Sequence, residues 1–99
     1  MMKEITAKEI ENKLIAGIKL NIIDVREDEE VAMGKIPEAK HIPLGQIPDR
    51  LDELDKNEHY YMVCRSGGRS GNACEYLIQS GYSVTNMVGG MLEWEGEME

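Results

Sequence analysis

Apolar residues along this chain fall into short runs separated by polar and glycine-bearing punctuation, and the runs switch repeatedly between two periods. Thr6-Ala7-Lys8-Glu9 has the form of a capping box, in which a hydroxyl and a carboxylate satisfy the first amides of a helix; Ile10 and Leu14 supply its apolar side and Gly17 closes it. Asn21-Ile22-Ile23-Asp24-Val25 is a compact apolar run that ends in charge at Asp24, Arg26 and Glu27, the form of a buried parallel strand with polar groups at its carboxyl end. A brief acidic helix is predicted over Asp28 to Met33. Gly34 and Pro37 then mark a loop into His41-Ile42-Pro43, which allows only a short strand, and Ile47, Leu51 and Leu54 mark a small helix.

Tyr60 to Val63 is aromatic and β-branched, which suits a strand, and it is followed by a helix from about Gly68 to Gln79 whose apolar face is Ala73, Cys74, Leu77 and Ile78, with Gly81 as its cap. Ser83 to Val88 forms another strand. Gly89-Gly90 turns the chain into a last helical segment carrying Met91, Leu92 and Trp94, the tryptophan serving as anchor. Strands alternating with helices predict an α/β fold: a mostly parallel sheet with helices on both faces and right-handed crossovers.

Length and composition narrow this picture. Ninety-nine residues, 41% hydrophobic and 30% charged, suit one compact domain spanning 1–99, with no repeat or low-complexity tract. A net charge of -8 argues against nucleic acid or an anionic membrane as partner, since both demand clustered lysine and arginine. Apolar runs are too short to span a membrane, and Met1-Met2-Lys3-Glu4 does not begin a signal peptide, so a cytoplasmic protein is expected. Cys64 and Cys74 lie ten positions apart without histidine or further thiol at ligand spacing, which disfavours a metal site, a C-x-x-C redox pair and a disulfide framework. No metal or cofactor is expected.

The chemistry concentrates at Cys64-Arg65-Ser66-Gly67-Gly68-Arg69-Ser70, where a cysteine ends a strand and a glycine-bearing loop opens a helix. Ligands of open α/β sheets bind at this edge, where loop amides and the helix N-terminus present positive charge. Those amides, the helix dipole and the guanidiniums of Arg65 and Arg69 are all expected to favour the thiolate, and the two arginines to form a local basic patch on an acidic protein. Asp24, Arg26 and Glu27 share that edge and are expected to support the loop, Asp24 foremost. Cys74 reads as a packing residue, His41 as structural and His59 as a loop residue.

Four stretches, Ile22 to Glu27, Gly34 to Pro43, Cys64 to Ser70 and Gly89 to Trp94, resemble the rhodanese domain of single-domain sulfurtransferases, and the resemblance runs from about Ile22 to Trp94. It implies a rhodanese-like fold with about five strands, mainly parallel. By position, Cys64 corresponds to the family's persulfide-forming cysteine; Arg65, Ser66, Gly67, Gly68 and Arg69 correspond to the loop around the bound sulfur, with Arg65 and Arg69 contacting substrate. Lys35 stands where the family often has histidine. The implied activity is that of a thiosulfate sulfurtransferase: a sulfane sulfur moves from a small anionic donor to cyanide, a thiol or a protein acceptor. A persulfide carrier between protein partners is the alternative. A phosphatase or arsenate reductase is disfavoured, because phosphatase loops are C-x5-R and Arg69 here gives C-x4-R, a smaller ring of amides.

Overall fold

The computed structural model describes residues 2–99 and contains one sheet of five strands, all parallel, in the spatial order β1-β5-β4-β2-β3. The strands are β1 (Lys3–Thr6), β2 (Asn21–Asp24), β3 (Ala39–His41), β4 (His59–Val63) and β5 (Ser83–Val88). Three α-helices, α1 (Ala7–Ile15), α2 (Asp28–Val31) and α3 (Gly68–Gln79), alternate with them, and 3-10 segments occupy Leu44–Glu53 and Gly90–Glu93. The α/β architecture with a parallel sheet expected from the alternation is present. After β2 the chain moves outward to β3 and then returns to place β4 on the opposite side of β2, so the crevice beyond the carboxyl ends of β2 and β4 is the topological switch point, where such sheets bind ligands.

Alternation within each strand builds two cores. Ile23, Tyr60, Met62 and Val84 point to the face covered by Ala73, Cys74 and Leu77 of α3 and by Ile47. Ile22, Val63 and Met87 point to the other face, against Ala7 and Ile10 of α1, with Met91 and Trp94 packed over them. The capping box forms as read: Thr6 Oγ1 accepts from Glu9 N at 3.1 Å, and Glu9 Oε1 accepts from Thr6 N at 3.0 Å.

Several readings change. β1 carries no sequence signal, since only Ile5 of its four residues is buried; its existence depends on pairing with β5 along the sheet edge. Ile78 is 42% exposed and does not belong to the buried face of α3, which is Ser70, Ala73, Cys74 and Leu77 at true helical spacing. His59 is not in a loop: it opens β4 and contacts Ser83 and Thr85 across to β5. The small helix of Ile47, Leu51 and Leu54 is a 3-10 segment kinked at Arg50 and containing Pro48, which withholds an amide and prevents a regular α-helix.

Candidate functional site

Cys64 is the first residue beyond β4, and the chain turns from it into α3 through Arg65, Ser66 and Gly67. The turn closes because Gly67 adopts φ 104°, a left-handed conformation. Its amide then points back to donate to Cys64 Sγ at 3.0 Å, while a Cβ at this position would stand 3.2 Å from Gly89 N. The first turn of α3 brings Ser70 Oγ to 3.3 Å from the same sulfur. Burial alone would raise the Cys64 thiol, but donation from the Ser70 hydroxyl and from the amides of Ser70, Gly67 and Ser66 outweighs it and holds the thiol below its ordinary value. Cys64 is only 1% exposed, so its covering is this ring of donors together with the apolar residues beneath the loop.

The Ser70 hydroxyl has one proton and three acceptors in reach: Cys64 Sγ, Gly67 O at 3.3 Å and Asn86 Oδ1 at 2.6 Å. Asn86, 5% exposed on β5, donates its own amide to Gly67 O at 3.1 Å, which fixes its oxygen toward Ser70. The single proton is therefore shared between the Asn86 oxygen and the Cys64 sulfur.

The two arginines are placed differently. Neither guanidinium donates to the sulfur. Arg69 turns away and forms a bidentate pair with Glu30 of α2, at 2.6 and 2.8 Å, with the two side chains 34% and 27% exposed. The Arg69 guanidinium holds the Glu30 carboxyl down at about 2. Among the described residues Arg65 has no carboxylate at ion-pair distance. It lines a cleft of about 260 Å³ with Arg26, Glu30, Met33, Met91 and Leu92. Ser66 and Gly68 are exposed on the rim.

Asp24 and Arg26 form a buried bidentate pair, with Arg26 Nη2 at 2.8 Å from Asp24 Oδ2. Arg26 also donates to Gly34 O at 2.8 Å and Glu30 O at 3.4 Å. Their support of the loop is thus indirect: they pin α2 and the Gly34 turn, and α2 carries Glu30 to Arg69. Glu27 contributes its amide to Glu30 Oε1 at 2.9 Å rather than its charge to the loop. Lys35 donates to the carbonyls of Ile36, Pro37 and Ala39 and pairs with Glu99, a local structural role. His41 Nε2 meets Arg26 O at 2.7 Å, also structural. Cys74 is fully buried, and burial, then the neighbouring Cys64 charge, pushes its thiol up to about 12.

The turn at Gly89-Gly90 straps the loop from the other side. Met91 N donates to Cys64 O at 2.8 Å and Leu92 N to Arg65 O at 3.0 Å, which brings Met91 to the cleft. Four contributors escaped sequence reasoning: Glu30, Ser70, Asn86 and Gly90. Nothing in the sequence pairs Glu30 with Arg69 across thirty-nine positions. A polar residue inside the β5 run was the only sign of Asn86.

An all-parallel α/β sheet with a cysteine loop at its switch point defines the class. Residues 6–97 match the family model described as the rhodanese-like domain, and the chain belongs to that family. It is 50% identical over 96 residues to YtwF of Bacillus subtilis, itself named only as a candidate sulfurtransferase, covering 97% of this chain and 93% of that protein. It is 38% identical over 95 residues to a sulfurtransferase of Allochromatium vinosum, covering 95% and 89% of the two chains. A crystal structure of a rhodanese-like domain protein from Staphylococcus aureus is similar with a TM-score of 0.94 at 49% identity, over 99% of this chain and 97% of that one. No helix among the described residues is long and apolar enough to cross a membrane.

Proposed function

We propose that the protein is a sulfurtransferase that carries a sulfane sulfur as a persulfide on Cys64. The observation that carries this reading is the ring of donors on a single sulfur: Gly67 N at 3.0 Å and Ser70 Oγ at 3.3 Å, aimed by a left-handed glycine and a helix N-terminus. In the first step the Cys64 thiolate attacks the outer sulfur of a donor, the donor's sulfur bond breaks, and its remainder leaves with the electron pair. With thiosulfate the remainder is sulfite, and the new terminal sulfur keeps one negative charge. The loop amides stabilise that charge, and Arg65 faces the departing anion. An acceptor thiol or cyanide then attacks the terminal sulfur and returns the Cys64 thiolate. No proton transfer is needed in the first step, consistent with the absence of histidine from the loop.

Mass spectrometry after thiosulfate treatment is the test. One added sulfur on Cys64 is expected, removed by cyanide as thiocyanate, and Cys64→Ser is expected to show neither. An unmodified thiol with prompt hydrolysis of an aryl phosphate would refute the reading. Arg65→Ala is expected to weaken thiosulfate use by about 1.5 to 3 kcal/mol, the strength of a hydrogen bond to a charged group.

A further inference from the structure

We infer that Glu30 is a specificity-determining residue, which withholds Arg69 from small oxyanions and tunes the site toward alkyl persulfide donors, R–S–SH, over thiosulfate. This rests on the Cys64 reading above. The argument is one of charge placement. The cations at the cleft are Arg26 and Arg65, which line it, and Arg69, which pairs with the lining residue Glu30. Asp24 neutralises Arg26 and Glu30 neutralises Arg69, each through two hydrogen-bonded oxygens. Arg65 is left with no ion-pair partner among the described residues. Glu30 is not free to swing aside, because Glu27 N holds its Oε1 at 2.9 Å and Arg26 Nη1 holds its carbonyl at 3.4 Å.

Thiosulfate carries two negative charges, and so does the sulfite it releases: Cys64–S⁻ plus S–SO₃²⁻ gives Cys64–S–S⁻ plus SO₃²⁻. With an alkyl persulfide the balance is Cys64–S⁻ plus R–S–SH giving Cys64–S–SH plus R–S⁻, and the leaving group has a single charge. One available guanidinium matches the second case. The organic part also has a surface to lie on, since Met33 is 85% and Leu92 61% exposed beside Met91 in the same cleft. An inorganic oxyanion gains nothing from those side chains.

The experiment compares kcat/KM for thiosulfate and for cysteine persulfide. Glu30→Gln removes the charge, releases Arg69 and is expected to raise the thiosulfate-to-persulfide ratio at least about tenfold, with a steeper fall in thiosulfate use as salt is added. Glu30→Asp, which keeps the charge, is expected to restore most of the wild-type ratio, and adding Arg69→Ala to Glu30→Gln to abolish the gain. Arg69→Ala alone uncovers the Glu30 carboxylate and is expected to lower the ratio, which tests the idea even if Glu30→Gln does not fold. A ratio within twofold of wild type in both Glu30→Gln and Arg69→Ala overturns the inference while leaving the Cys64 persulfide intact. Failure of the wild-type protein to load sulfur from either donor overturns the underlying reading instead.

Discussion

Gly90→Ala offers the sharpest test of how the candidate site is held together. Gly90 sits at φ +57°, and a Cβ there would lie within 2.5 Å of Cys64 O and of the Arg65 carbonyl carbon. Both obstacles are backbone of the Cys64 loop, so neither yields by a side-chain rotation. The left-handed conformation costs an alanine about 1 to 2 kcal/mol, and forcing a methyl into filled space costs about 1 to 3 kcal/mol more. The combined loss, about 2 to 5 kcal/mol, is a large part of the ~5–15 kcal/mol that stabilises a typical domain. At ~4–8 °C per kcal/mol for a chain of this size, the thermal midpoint should fall by at least about 8 °C. The chain can relieve the clash only by moving the turn away, which stretches the Met91 N to Cys64 O and Leu92 N to Arg65 O bonds of 2.8 and 3.0 Å. Hydrogen exchange at the amides of Met91 and Leu92 should therefore accelerate in the variant. Gly45→Ala is the control, because nothing lies within 4 Å of a Cβ there and its φ is ordinary. Thermal melts in which the two variants shift alike would refute the argument.

Ser70→Ala removes a donor to the Cys64 sulfur, and at a fixed pH below the thiol's midpoint alkylation by iodoacetamide should slow about five- to tenfold, the equivalent of about 1 kcal/mol; unchanged rates would show that Asn86 keeps the proton. Arg26→Ala leaves Asp24 buried at 0% exposure without its counter-ion, so urea unfolding should report a loss of about 3 to 5 kcal/mol. Glu30 has a carboxyl lowered from 4.5 to about 2, so its contribution is complete above the unfolded value and disappears as pH falls through the folded one. The stability difference between wild type and Glu30→Gln should accordingly stay constant above pH 4.5 and shrink toward zero near pH 2; a difference that persists at pH 2 would mean the pair with Arg69 is not its source.

Local rules made much of this protein legible. The capping box at Thr6 and Glu9, the span of α3, the span of β5 and the placement of Cys64 at a strand end all follow from capping chemistry and side-chain periodicity, which act between residues a few positions apart. β1 was not legible because an edge strand with one buried side chain acquires its conformation from its neighbour. The charge state of the site was not legible either. Read along the chain, Arg65 and Arg69 are an equivalent pair beside a thiol, whereas in three dimensions Glu30 arrives from α2 and makes them unlike. Ser70 and Asn86 meet at 2.6 Å only because α3 packs across β5, and Gly90 reaches the carbonyls of Cys64 and Arg65 only because the final turn folds back over the loop. The sequence by itself determined most of the alternating elements and the position of Cys64 at a strand end, because these depend on backbone preference and short-range hydrogen bonding. The tertiary structure decided which donors surround the sulfur and which cation stays available, because electrostatic and steric contacts depend on distance in space and not on separation along the chain.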